Sequence, residues 1–289
     1  MDWRTLVSAD ELKQVQGTAE VSIVDCRFDL RDPSAGERAF ALGHIAGASY
    51  AHLERDLSEM GRAGRGRHPL PDAERFCAAL ARFGITPRHQ VVAYDGRDGA
   101  FASRLWWLLR LLGHERVAVL EGGLEAWIRA GGAMGSGTPR IRAGGYRARF
   151  RVRDVVSTAV LAARLANGGT TLIDARARER FRGEIEPLDP VAGHVPGAIN
   201  RPYIENLETN GLFKQSSALR QEFECIIRPR SPDEVVLMCG SGVTACHNLL
   251  AMEYAGLHGA RIYAGSWSEW CSDPHRPVQR GDGIAPPMV

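Results

Sequence analysis

At 289 residues the chain has room for two domains, at about 100–200 residues each. Its 36 basic and 34 acidic residues leave a formal charge of +2, and the arginines are dispersed rather than gathered in a stripe, so nucleic acid is not an expected partner. No apolar run approaches the roughly 20 residues of a membrane span, the Met1-Asp2-Trp3-Arg4 start lacks the features of a signal peptide, and six irregularly spaced cysteines do not make a disulfide framework, which predicts a reducing, cytoplasmic setting.

In chain order, apolar periodicity predicts a helix over Ala9–Gln16, a strand at Ile23-Val24, a helix over Asp72–Phe83, a strand over Val91–Tyr94, a helix over Ala100–Leu112 and a strand over Val117–Leu120. Pro71 and Gly113 punctuate the second and third helices. The basic run Arg62 to His68 carries glycine and reads as a loop, and Gly131 to Gly145 has linker composition. Strands follow near Thr171–Asp174, Val235–Met238 and Arg261–Tyr263. After Val243, residues Cys246, Leu249, Leu250, Tyr254 and Leu257 recur at helical spacing. Such alternation predicts an α/β fold whose parallel sheets are flanked by helices on both faces.

The two halves repeat. Asp25-Cys26-Arg27 matches Asp174-Ala175-Arg176, and Gly43-His44-Ile45-Ala46-Gly47-Ala48 matches Gly193-His194-Val195-Pro196-Gly197-Ala198. Val91 to Gly96 matches Val235 to Gly240, and Glu121 to Trp127 matches Ala264 to Trp270. Four motifs in one order at a near-constant offset mean a duplicated domain. The expected organisation is a first domain over 1–133, a linker over 134–148 and a second domain over 149–289. Asp25, Asp174, Arg27 and Arg176 read as holding strand ends. His44 and His194, present in both copies, read as fold residues.

Cys239 carries the chemistry. It opens Cys239-Gly240-Ser241-Gly242-Val243-Thr244-Ala245, between a buried strand and a helix. Ligands in open parallel sheets sit beyond the carboxyl ends of strands. Turn N–H groups and a helix amino end there favour a thiolate, with Gly240 and Gly242 expected to supply close approach and positive φ. The plain alternative is a small buried hydrophobe beside a tight turn. In the first copy the matching position is Asp95, so the thiol is unique to the second copy. A cysteine phosphatase needs an arginine six residues after the cysteine, and that position is Ala245. A zinc site would need Cys239, Cys246 and His247 with Cys225 or Cys271, and no Cys-x₂-Cys pair exists.

These motifs resemble the two-domain, tandem rhodanese-type sulfurtransferases over nearly the whole chain. The active loop is similar to the 3-mercaptopyruvate branch, with Gly and Ser after the cysteine; the thiosulfate branch carries basic residues there. The resemblance implies two tandem rhodanese-like domains, a catalytic second domain and a non-catalytic first that walls the cleft. It implies sulfane-sulfur transfer through a Cys239 persulfide to a thiol or cyanide acceptor. It further implies a triad of Ser241, His68 and an acidic residue, either Glu54 or Asp56, and a substrate contact from Arg180. Gly240, Gly242, Val243 and Thr244 would stabilise the persulfide through their N–H groups. Ser241 also reads as a turn residue, His68 as a loop histidine, Arg180 as an ion-pair partner of Glu184 or Glu186, Arg182 as a solvated side chain and Trp267 as core or pocket wall. The branch's second arginine would fall at position 189, which is Asp189 here.

No cofactor and no metal are expected. The expected partners are a small anionic sulfur donor and a thiol, thioredoxin-like or cyanide acceptor, with neither nucleic acid nor membrane, in a monomer or weak oligomer. A thiosulfate sulfurtransferase and a persulfide relay for a partner protein are the competing functions.

Overall fold

Two five-stranded sheets, parallel at every pairing, frame the chain. The first runs Leu6–Val7, Val117–Leu120, Gln90–Tyr94, Val21–Asp25, Ser49–Tyr50. The second runs Val155–Val156, Arg261–Tyr263, Val235–Met238, Thr171–Asp174, Ile199–Asn200. The two orders correspond strand for strand, as the sequence repeat requires. Central strands buried on both faces read as unbroken apolar runs, and Val235–Met238 is buried at every position. The computed structural model describes residues 1–139 and 141–283; Arg140 of the expected linker and residues 284–289 of the second expected domain lie outside the described residues.

The chain forms two compact units. The first comprises 1–59, 70–151 and 209–212; the second comprises 60–69, 152–208 and 213–289. Two short excursions therefore belong with the opposite half of the sequence. The segment expected as a linker is docked on the first unit. Met134–Gly135 pairs antiparallel with His44–Ile45, Gly137 N–H donates to Ala41 O at 2.8 Å and Gly144 N–H to Ala81 O at 2.8 Å. Backbone hydrogen bonds hold this segment, which is why its composition does not announce it.

Helix ends follow local chemistry. Asp72, read as the first residue of a helix, is its cap: the carboxylate accepts from the Glu74 and Arg75 N–H groups, and the helix is Ala73–Arg82. The helix expected over Ala9–Gln16 spans Ala9–Lys13, started by a Ser8–Glu11 capping box. The helix expected over Ala100–Leu112 spans Ala102–Leu111. The strand read as Ile23-Val24 extends over Val21–Asp25. Each unit buries its own core, with Phe40, Tyr94 and Trp127 in the first and Phe181, Tyr263 and Trp267 in the second. Among the described residues no helix is long and apolar enough to cross a membrane.

Candidate active site

The buried strand Val235–Met238 delivers Cys239, whose side chain is enclosed at 2% exposure. Its carbonyl accepts the Trp267 N–H at 2.9 Å and its N–H donates to Ser266 Oγ at 3.1 Å. The Gly242 N–H points at the sulfur, 3.1 Å from Sγ. The helix Thr244–Tyr254 starts two residues further on, with Val243 as its cap. An N–H donor and a helix amino end both favour negative charge at this point.

The two loop glycines are there for different reasons. Gly242 has φ +75°, and a Cβ on it would lie 2.3 Å from Ala264 O. Gly240, against expectation, is not in the left-handed region. What keeps it bare is room: a Cβ there would meet Arg67 Nη2 at 3.0 Å and Arg180 Nη1 at 3.3 Å.

Ser266 was not visible as a site residue. It is the one non-glycine residue with positive φ among those described, at 53°. Its hydroxyl accepts the Cys239 N–H and donates to Tyr263 O at 2.9 Å. The matching position in the first copy is Gly123, at φ +54°. A serine holds this conformation at a cost of about 1–3 kcal/mol, and in return anchors the backbone of the cysteine. Position-by-position comparison of the copies would have exposed it.

Ser241 and His68 come together. Nδ1 of His68 and Oγ of Ser241 share a hydrogen bond of 2.7 Å, with both side chains buried. His68 belongs to the second unit because the segment 60–69 packs there. Ser268 braces that segment against the active loop: its N–H donates to Gly240 O at 2.9 Å, and its Oγ accepts the Arg67 N–H at 3.0 Å. Gly66 permits the approach, since a Cβ on it would lie 2.7 Å from Gly265 O.

Arg180 pairs with Glu186 at 2.6 Å and with Asp189 at 3.2 Å while keeping Nη1 beside Gly240. Arg180 is thus the ion-pair partner of Glu186 rather than Glu184, and its guanidinium lies beside the nucleophile loop. Asp189, buried at 2% side-chain exposure, also pairs with Arg67. Arg182 points elsewhere, to Asp282 at 2.5 Å. Arg176 is buried and clasps Asp174 at 2.8 Å and Glu186 at 3.4 Å, stacked over Trp267 at 4.8 Å. Burial opposes its charge, but Asp174, Glu186 and Cys239 raise its pKa above the ordinary arginine value. Trp267 is core, its indole N–H donating to Val191 O at 2.9 Å.

The acidic candidates belong to the first unit. Glu54 lies on the short helix Leu53–Asp56, its N–H donating to His52 Nδ1 at 3.2 Å. The Asp56 carboxylate is spent locally: it accepts the His52 N–H at 2.9 Å and pairs with Arg82 at 2.6 Å. The twin histidines have matching settings, each stacked on a phenylalanine (Phe40 or Phe181) and bonding that residue's carbonyl oxygen at 2.8 Å.

Cys246 bonds Gly242 O at 3.3 Å, and His247 bonds Asn206 Nδ2 at 3.0 Å. Among the described residues no group of three His, Cys, Asp or Glu side chains is placed to hold a metal ion. The arrangement presents a sulfur nucleophile, a hydroxyl–imidazole pair able to move a proton, and guanidinium groups for an anionic donor.

A family model described as "Rhodanese-like domain" matches residues 8–130 and 157–273. A Pseudomonas aeruginosa protein provisionally named 3-mercaptopyruvate sulfurtransferase is 47% identical over 96% of this chain and 98% of that relative. A Mycobacterium tuberculosis protein provisionally named thiosulfate sulfurtransferase is 41% identical over 96% and 98%. The human 3-mercaptopyruvate sulfurtransferase is 33% identical over 97% of both chains. Among solved structures, the Escherichia coli 3-mercaptopyruvate sulfotransferase SseA has a TM-score of 0.79 at 31% identity, covering 92% of this chain and 100% of that one. The Leishmania major 3-mercaptopyruvate sulfurtransferase has a TM-score of 0.82 at 29% identity, covering 92% and 74%.

Proposed function

We propose, from the premise that this chain belongs to the rhodanese-like domain family, that it is a sulfurtransferase whose donor is 3-mercaptopyruvate. The observation that carries the reading is the pairing of two features in one unit. The Gly242 N–H faces Cys239 Sγ at 3.1 Å, and Ser241 Oγ of the same loop stands 2.7 Å from Nδ1 of His68. The identity of 47% to the Pseudomonas relative supports it.

In this mechanism the Cys239 thiolate attacks the donor sulfur. A sulfur–sulfur bond forms, the carbon–sulfur bond breaks, and its electron pair stays on carbon as the enolate of pyruvate. The donor thiol's proton ends on that carbon, so pyruvate and a Cys239 persulfide anion result. Ser241 and His68 relay this proton. Main-chain N–H groups of the loop, from Gly240, Gly242, Val243 and Thr244, meet the charge on the outer sulfur, as an oxyanion hole does. Arg180 holds the donor carboxylate. An acceptor thiolate, a thioredoxin-like thiol or cyanide then attacks the outer sulfur and releases the Cys239 thiolate. No cofactor is needed for these steps. The proposed setting is a reducing cytoplasm, in keeping with six unbridged cysteines.

Thiosulfate as donor is the second reading, favoured by the 41% identity to the mycobacterial relative. The test compares both donors, with cyanide as acceptor, in wild type, Cys239→Ser and His68→Gln. Cys239→Ser should abolish turnover of both donors, and retained turnover would sink the nucleophile assignment. His68→Gln should lower kcat for 3-mercaptopyruvate by roughly 10²–10⁴-fold and spare thiosulfate, whose sulfite leaving group takes no proton on carbon. Equal losses on both donors would remove His68 from proton transfer. Persulfide formation passed only to a protein acceptor, with no pyruvate released, would make the chain a relay.

A further inference from the structure

We propose that Arg67 is a second substrate arginine, and that it and Arg180 together select a donor bearing a carboxylate. The inference rests on the sulfurtransferase reading above and names a residue that reading leaves out.

Two guanidinium groups converge on one point beside the nucleophile. A Cβ built on Gly240 would lie 3.0 Å from Arg67 Nη2 and 3.3 Å from Arg180 Nη1. Gly240 follows Cys239 directly in the chain. Like charges repel when brought this close, and a buried acid holds them there. One oxygen of Asp189 takes Arg67 Nη1, and the other takes Arg180 Nη2 at 3.2 Å. Glu186 fixes the other edge of Arg180, with Nε at 3.2 Å and Nη2 at 2.6 Å. Each arginine therefore spends one nitrogen on Asp189 and turns another toward Gly240.

The position where the resemblance implied an arginine holds Asp189, and Asp189 recruits a cation from a different loop. Arg67 is not swinging freely. Its N–H is tied to Ser268 Oγ at 3.0 Å, and its side chain is about three-quarters covered, at 26% exposure. Two nitrogens from two guanidiniums suit the two oxygens of a carboxylate. A carboxylate-bearing thiol would place its acid between them with its sulfur toward Cys239. A donor without that acid would offer no oxygens to the two nitrogens turned toward Gly240.

The experiment compares 3-mercaptopyruvate with mercaptoacetone, which keeps the thiol and ketone but lacks the carboxylate, in wild type, Arg67→Gln and Arg67→Lys. Losing one charge-assisted contact should raise KM for 3-mercaptopyruvate by roughly 10–100-fold, with the effect on mercaptoacetone at least tenfold smaller. Arg67→Lys should recover part of the preference. Equal losses on both donors, or no change on either, would overturn the proposal. Failure of the reading beneath it is separable. A wild type that releases no pyruvate would refute the reaction. Calorimetric titration of pyruvate into Cys239→Ser and Cys239→Ser/Arg67→Gln would still test Arg67. At least tenfold weaker binding in the double variant supports it; equal binding, or none in either protein, overturns it.

Discussion

Replacing each loop glycine with alanine adds one methyl group at two positions two residues apart and should break the protein in two different ways. At Gly242 the methyl carbon would stand 2.3 Å from the carbonyl oxygen of Ala264, and φ is +75°. A backbone oxygen cannot swing aside. The left-handed conformation alone costs a non-glycine residue about 1–3 kcal/mol, and relieving the overlap by a main-chain shift adds strain of similar size. A loss of roughly 2–5 kcal/mol follows, enough to lower the thermal midpoint of a 289-residue chain by several degrees. At Gly240 the backbone is in an ordinary region, and the nearest atoms are the ends of two arginine side chains at 3.0 and 3.3 Å. Those ends can give, so Gly240→Ala should change stability by less than about 1 kcal/mol. It would displace both guanidiniums from the point they share and raise KM for the carboxylate donor. Calorimetric melting and donor kinetics on the two variants decide the matter. Equal loss of stability, or an unchanged KM in Gly240→Ala, would refute the claim that Gly240 is bare to make room for the arginines.

Two further outcomes follow from the same geometry. Ser266→Ala and Ser266→Gly both leave the buried Cys239 N–H without its hydroxyl acceptor, and only the glycine also removes the strain at φ 53°; in denaturant titration Ser266→Ala should be less stable than wild type by about 1 kcal/mol or more, with Ser266→Gly between them, and an alanine variant as stable as wild type would show that the hydroxyl does not hold the cysteine. Burial and the neighbouring Asp98 charge raise the Asp95 pKa from 3.8 to about 6, so the stability this group contributes is fully present below about pH 4 and is lost as pH rises through about 6. The stability of Asp95→Asn relative to wild type should therefore climb between pH 4 and 7, and a pH-independent difference would contradict the assignment.

Much of the fold was legible because its signals are local. Val91–Tyr94 and Val235–Met238 announce buried parallel strands by their unbroken apolar runs, and the repeat pairs Asp95 with Cys239 without any structure. What escaped is held by contacts remote in sequence. Arg67 reads as one arginine among several in a glycine-bearing loop; its partner Asp189 lies 122 residues away. Asp189 read as a lost arginine, and only the fold shows it gripping two. Residues 134–148 read as linker because main-chain bonds such as Gly137 N–H to Ala41 O leave no mark on composition. Ser241 and His68 were nameable from the resemblance, but their 2.7 Å approach depends on residues 60–69 packing in the second unit.

The fate of the two copies comes down to what fills the turn after the central strand. In the first, the Asp95 carboxylate accepts four main-chain N–H groups. Arg97 and Gly99 bond one oxygen at 3.2 and 2.9 Å, and Phe101 and Ala102 bond the other at 2.9 and 3.2 Å. Two of those N–H groups, from Phe101 and Ala102, open the helix Ala102–Leu111. In the second copy the same position offers a single sulfur atom with the Gly242 N–H directed at it. In the proposed mechanism a persulfide would extend that sulfur by one atom and bring negative charge to the position that the Asp95 carboxylate fills in the first copy. The first copy thus keeps a carboxylate in its chain where, in the proposed mechanism, the second gains and loses a charged sulfur once per turnover. A cysteine at position 95 would lack the two carboxylate oxygens that accept these four N–H groups. The two turns are therefore alternative uses of one geometry, the first spent on holding the fold and the second kept open for transfer.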